Sequence, residues 1–154
     1  MIAKAFSAQN IGLNINILTI EVDITNGLHL FSIVGLPDKS VEESRDRVCA
    51  AIKNSGYVSP RQKNQKIIVS IAPAQIRKEG SAFDLSIALA YLQASKDIFF
   101  YPEDKLFLGE LSLEGRIRRV NGVLPIVKGA VENGFKEIYV PKDNVAEADR
   151  KSVV

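Results

Sequence analysis

The run Leu85-Ser86-Ile87-Ala88-Leu89-Ala90-Tyr91-Leu92 is apolar on nearly every side of the helix it would form. A surface helix keeps a polar stripe for solvent, so one without such a stripe belongs at the centre of a fold, covered all round. In 154 residues there is room for one domain of ordinary size with a single substantial core. The apolar share of 46% and charged share of 25% are those of a globular chain, which sets disorder aside.

Before that helix the period changes. Leu18, Ile20, Val22 and Ile24 alternate with Thr19, Glu21 and Asp23, the mark of a half-buried strand. Asn26-Gly27 is a strong hairpin signal, and the apolar run Leu28 to Val34 follows it, so an antiparallel pair is expected. Gly35-Leu36-Pro37-Asp38 ends the second strand. Ser40-Val41-Glu42-Glu43 has the form of a capping box opening a helix, with Val41, Val48, Ala51 and Ile52 on one side and Gly56 placed to stop it. A polar loop over 57–65 leads to a short strand, Ile67 to Ala72, that ends at Pro73.

The covered helix starts near Ser81. Leu106 to Leu113 predicts a strand turned at Glu114-Gly115, with Arg116 to Val120 returning. A third helix is expected from about Val123, with Pro125 in its first turn and Gly134 at its end. Glu137 to Val140 is a last strand, and Asn144-x-x-Glu147 suggests a further capped helix running toward Arg150. There is no repeat, low-complexity tract or linker. Residues 1–154 therefore read as one α/β (α+β) domain, a mixed β-sheet with helices packed on it.

Several functions are excluded by what is scarce. Cys49 is the only cysteine and lies in a helical pattern, so there is no intrachain disulfide or cysteine metal cage, and it reads as a small buried hydrophobe. His29 is the only histidine, sits in the strand after Asn26-Gly27 and has no nucleophile motif near it. Glu42, Glu43 and Asp46 share one helix, but Arg45 and Arg47 are interleaved with them, which suits a solvated or salt-bridged face better than a magnesium site. No metal site is expected. No apolar stretch reaches the ~20 residues of a membrane span, and Met1-Ile2-Ala3-Lys4 lacks a signal-peptide core, so a cytoplasmic protein without a membrane partner is expected.

The net charge of +2 is too small to establish a polyanion partner, so local clusters decide. There are three. Arg61, Lys63 and Lys66 lie in and just after the polar loop. Arg77 and Lys78 precede the covered helix, where free backbone N–H groups favour an anion. Arg116, Arg118 and Arg119 form the densest group, with Arg116 and Arg118 on one side of a strand. They could track a phosphate backbone together or be three unrelated solvated patches. Phe83 and Tyr57 are the aromatics near enough to stack on a base, and both are equally suited to the core.

Val34-Gly35-Leu36-Pro37-Asp38, Glu43-Ser44-Arg45-Asp46-Arg47-Val48, Asn54-Ser55-Gly56, Ile71-Ala72-Pro73-Ala74, the run from Arg77 to Leu85, Leu108 to Gly115 and Gly122-Val123-Leu124-Pro125 together resemble the ComM/YifB family, the magnesium-chelatase-like AAA+ ATPases. The resemblance spans nearly the whole chain, in order. It implies the N-terminal domain of such a protein, with a fold like domain 2 of ribosomal protein S5 that Lon peptidase domains and the C-terminal domain of RadA share. It also implies an ATPase domain further along, carrying ATP and Mg, since these residues hold no Gly-x-x-x-x-Gly-Lys-[Ser/Thr] loop.

A Ser–Lys peptidase needs a hydroxyl at a helix start and an amine able to deprotonate it. In Lon-type domains the serine lies two residues after the glycine of a Lys-Asp-Gly-Pro-Ser-Ala-Gly run. By that resemblance Ala82 stands in the serine position and Ile126 in the lysine position, so a protease is not expected. A register shifted to Ser81 and Lys128 fails, because two residues past Ile126 lie about 200° around a helix. Ser81 and Asp84 instead have the spacing of an N-cap pair. By the family resemblance, the function implied is a non-catalytic domain that binds single-stranded or branched DNA, assembles a ring, or both, in a hexameric helicase that migrates DNA branches in natural transformation. The alternative is a protein-interaction or oligomerisation module with no DNA affinity. No cofactor is expected within the domain, and nothing in it is arranged to insert a metal into a porphyrin.

Overall fold

The computed structural model describes residues 2–11 and 14–149. Its elements are β1 (Ile2–Ile11), β2 (Asn14–Asn26), β3 (Leu30–Val34), α1 (Asp38–Asn54), a 3₁₀ turn at Pro60–Gln62, β4 (Gln65–Ala72), α2 (Asp84–Ala94), β5 (Lys105–Phe107), β6 (Glu110–Leu111), β7 (Ile117–Arg118), α3 (Val123–Glu132), β8 (Glu137–Tyr139), a 3₁₀ turn at Lys142–Asn144 and α4 (Val145–Asp149). Six strands form one mixed sheet in the order β3-β4-β2-β1-β5-β8, and β6 and β7 form a separate two-stranded ribbon.

Strand alternation sorts the core into two. Ala3, Ala5, Leu18, Ile20, Val22, Ile67, Val69 and Ile71 point to the face covered by α1 and α2. Ala8, Ile15 and Ile17 point the other way and meet α3 through Val123, Ile126 and Val127. α2 is the covered helix the sequence demands, with Ile87, Ala90 and Tyr91 fully buried. Cys49 is buried in the same cluster, and burial pushes its thiol above the ordinary range. At the end of α1, the Gly56 amide bonds Lys53 O at 3.2 Å and the Tyr57 amide bonds Ile52 O at 3.2 Å, a Schellman closure with Gly56 at φ +94°.

The structure departs from the sequence expectation in several places. β1 was not foreseen, because its inward residues Ala3, Ala5, Ser7 and Gln9 are too small or too polar to give a strand signal. β2 and β3 are not paired as a hairpin. β4 lies between them, antiparallel to β2 and parallel to β3, and the chain crosses its end between Asn26 and Leu30. Two inter-strand spacings are about 9.6 Å, and the four peptide units can reach roughly 13 Å. Gly27 donates its amide to Asn64 O at 3.2 Å instead of closing a tight turn. His29 belongs to this crossing rather than to a strand.

Leu106 to Leu113 is not one strand. It breaks at Gly109, where an added Cβ would stand 2.5 Å from Ile117 Cγ2, so glycine permits the ribbon to fold back closely. The side-chain caps expected at Ser40 and Ser81 do not form, whereas the last helix begins directly after Asn144, whose side chain donates to Glu147 at 3.3 Å. α1 starts at Asp38 with Pro37 as cap residue, which puts Ser40 inside the helix. α2 starts at Asp84, three residues later than Ser81, and has no side-chain cap. Asn144 is wholly buried and hydrogen-bonds Val120 on both sides, accepting from its amide and donating to its carbonyl, each at 3.0 Å. Arg150, toward which that last helix was expected to run, lies outside the described residues.

Candidate functional site

The start of α2 is fixed by a buried carboxylate. Asp84 accepts from Arg47 Nε at 2.6 Å, Arg47 Nη2 at 3.2 Å, Ser44 Oγ at 3.1 Å and the Leu111 amide at 3.2 Å. Burial pushes its carboxyl above the ordinary range, and the Arg47 guanidinium pulls it back down. The hydrogen bond to Asp84 in turn holds Arg47 above its ordinary value. One residue therefore joins α1, α2 and the β6–β7 ribbon.

The segment just before it is stitched to the same ribbon. Gly109 donates to Ala82 O at 2.8 Å, and Leu85 donates to Gly109 O at 3.1 Å. The Ser81 hydroxyl donates to the Glu110 carboxylate, which also faces Arg118 Nη1 at 3.5 Å. A side chain thus engaged in a tertiary bond is not a cap, which is the physical reason the expected Ser81–Asp84 pairing does not form.

The loop before Gly80 is pinned from inside. Lys78 is only 6% exposed, and its ammonium donates to Pro73 O at 2.5 Å and Ile76 O at 3.1 Å. Desolvation lowers its pKa. Gln9, from β1, donates to Arg77 O at 2.7 Å and accepts the Glu79 amide at 3.2 Å. Arg77 itself stands outside, 82% exposed and 3.1 Å from Glu79.

Ala82 and Ile126 line one open cleft of about 350 Å³, together with Asn10, Glu79, Glu110 and Arg119. Lys128 is on the exposed side of α3, away from it. Ala82 and Ile126, where the resemblance would put a peptidase dyad, therefore line the same cleft, and both are apolar. The cleft sits where β1 ends and α2 begins.

The eight basic candidates do not converge. Arg61 is ion-paired with Asp46 on one flank of α1, while Gly115, in the β6–β7 turn, approaches Ala51 and Ser55 on the other. Lys66 lies on the sheet face opposite α1 and α2, alternating with the buried Ile67. Lys63 is partly exposed in the preceding loop. Lys78 is spent on backbone carbonyls, so it is no surface contact. That leaves Arg119 in the cleft lining, Arg77 and Arg118 each ion-paired with a glutamate of that lining (Glu79 and Glu110), and Arg116 further along the ribbon. Arg116, Arg118 and Arg119 are 83%, 61% and 61% exposed, opposite Glu114, Glu110 and Glu147 at 3.6, 3.5 and 3.6 Å. Phe83 is buried in the core and Tyr57 is partly exposed. Gln9, Asn10, Arg47 and Glu110 are parts of the site that residue patterns did not single out, because each acts through a contact distant in sequence.

Residues 20–144 match the family described as subunit ChlI of Mg-chelatase. The competence protein ComM of Haemophilus influenzae is 37% identical over 148 residues, 96% of this chain and 28% of that protein. YifB of Escherichia coli K12 is 44% identical over 138 residues, 89% of this chain and 26% of that protein. The chain thus spans under a third of the relatives it matches. Weaker matches extend to the Lon protease of Acinetobacter baumannii, 27% identical over 135 residues, 85% of this chain and 17% of that protein. The DNA repair protein RadA of Streptococcus pneumoniae is 39% identical over 70 residues, 46% of this chain and 16% of that protein. Both share this kind of mixed α/β domain.

Proposed function

The chain belongs to the ChlI-like Mg-chelatase family of ComM and YifB, and on that footing we propose that it is a non-catalytic DNA-binding and ring-assembly domain of a ComM-like hexameric AAA+ ATPase. The observation that carries this reading is the set of arginines at the cleft end. Arg77, Arg116, Arg118 and Arg119 stand well exposed, and Arg116, Arg118 and Arg119 face their carboxylates only at 3.5–3.6 Å, exposed pairs of a kind that a phosphate can replace at small cost. Ala82 and Ile126 supply neither nucleophile nor base, which supports binding without peptide cleavage. ATP and Mg belong, in this proposal, to sequence beyond these 154 residues. We place the work in the cytoplasm; no helix among the described residues is long and apolar enough to cross a membrane.

Ring assembly has its own support at the other end of the sheet. Leu28 is 92% exposed in the crossing between β2 and β3, and Phe99 and Tyr101, edge to face at 5.2 Å, stand exposed before β5. Exposed apolar groups that touch one another, as Phe99 and Tyr101 do, suit an interaction surface better than a single exposed side chain such as Leu28. A pure oligomerisation module without DNA affinity would use this surface alone.

A mobility-shift titration against single-stranded, duplex and branched DNA at two salt concentrations tests the proposal. Binding should weaken steeply with salt, as counterion release requires. Changing Arg116, Arg118 and Arg119 together to Glu should abolish it, and full DNA binding by the longer protein carrying those changes would sink the DNA reading in favour of assembly alone.

A further inference from the structure

We propose that the free edge of β3 pairs with the same edge of a second copy of this chain, about a two-fold axis at Ser32. A two-fold contact joins two protomers and closes no ring, so this goes beyond the assembly proposed above and does not depend on the DNA reading. The observation is a contrast between the two edges of the sheet. β8 is three residues long and carries Glu137, ion-paired with Lys105 at 3.2 Å. Short, charged edges are how folded chains keep other strands off. β3 has neither defence. Residues 28–34, Leu-His-Leu-Phe-Ser-Ile-Val, hold no lysine, arginine, carboxylate or proline, and β3 pairs with β4 without a bulge. Among the described residues, the one hydrogen bond to β3 from outside that ladder is Arg45 Nη1 to Phe31 O at 3.3 Å.

Alternation decides what such a pairing buries. Phe31 and Ile33 point to the core under α1, and Leu30, Ser32 and Val34 to the opposite face, where Leu30 and Val34 are 46% and 52% exposed. Ile68 of β4, in register with Ser32, is exposed between them. An antiparallel partner centred on Ser32 sets Leu30 opposite the partner's Val34 and Phe31 opposite the partner's Ile33. Aliphatic and aromatic–β-branched pairs of this kind stabilise a ladder. The uncharged strand meets itself with no like charges opposed. Above it, Arg45 reaches the edge from α1, and the exposed Glu42, three residues earlier, is on the same flank. A two-fold brings each glutamate toward the partner's arginine, so the helices are complementary where the strands are neutral. That self-complementarity selects a second copy over a foreign strand.

Sedimentation equilibrium of the 154-residue chain tests this, and a dimer should form as concentration rises. Changing Leu30 and Val34 together to Lys opposes like charges across the joint and should weaken association at least about tenfold. Both side chains lie on the open face, so circular dichroism should show the fold intact. The sharper variant combines Leu30→Lys with Val34→Glu. An antiparallel two-fold then sets each new lysine against the partner's new glutamate, and dimerisation should return. The proposal is overturned by monomer mass at every concentration up to about 1 mM. It is overturned equally by dimerisation that ignores the lysine pair, or by a lysine–glutamate variant as monomeric as the lysine pair. None of these changes touches Arg77, Arg116, Arg118 or Arg119, so DNA binding should persist in all of them, and failure of one reading can be told from failure of the other.

Discussion

Arg47 meets Asp84 through two hydrogen bonds, at 2.6 and 3.2 Å, with the carboxylate wholly shut off from solvent. Arg116, Arg118 and Arg119 meet their glutamates at 3.5–3.6 Å in the open. The chemistry of the pair is the same and the consequences differ. Inside, the guanidinium cannot leave without stranding a buried charge, so the pair fixes the relative positions of two helices and a ribbon. Outside, water and salt compete for every contact, so the arginine is held loosely and can be given up to another anion.

The sharpest way to break this contrast is Arg47→Met, which strands Asp84 and should cost about 3–5 kcal/mol in a urea titration at neutral pH. If Arg47→Met with Asp84→Leu recovers much of that loss, the penalty is the orphaned charge rather than the missing attraction. The pH dependence follows the same logic. Without Arg47 nothing of comparable strength offsets burial, so the folded-state carboxyl of Asp84 rises further above its unfolded value. A raised carboxyl contributes stability below the unfolded pKa and loses it as pH climbs through the folded one. The deficit of Arg47→Met should therefore shrink as pH falls from neutrality toward the carboxylate range, and a deficit independent of pH would show that Asp84 is already protonated or well solvated.

Ser44→Ala removes one neutral donor from the same carboxylate and should cost about 1 kcal/mol. Smallest of all, the Glu triple variant at Arg116, Arg118 and Arg119 should move stability by under about 1 kcal/mol, because exposed pairs contribute little. A large loss of stability there would mean that the ribbon arginines are structural after all.

How much of this could be anticipated depends on the range of the interaction. The covered helix α2 and the alternating strand β2 were legible because burial imposes its pattern on the side chains of the element itself. The glycine closures of α1 and α3 were legible for the same reason, since they are backbone events within a few residues. The capping signals at Ser40 and Ser81 were not: Ser40 lies inside α1, and Ser81, with the right local spacing, was claimed by Glu110 far along the chain. The Asn26-Gly27 signal failed likewise: the edge of β2 goes to β4, whose Ile67, Val69 and Ile71 need that central place. At the site, the resemblance pairs Ala82 with Ile126, and the structure sets both in the lining of one cleft. The pinning by Gln9 and the burial of Lys78 carry no local pattern at all.

The clamp of Asn144 on Val120 gives the molecule a built-in reporter. A carboxamide here takes the place of a neighbouring strand, and the Val120 amide proton has that side chain as its acceptor. Its exchange with deuterium then requires the 3₁₀ turn that carries Asn144 to lift away from Val120. A single backbone resonance thereby reports how often that turn lets go.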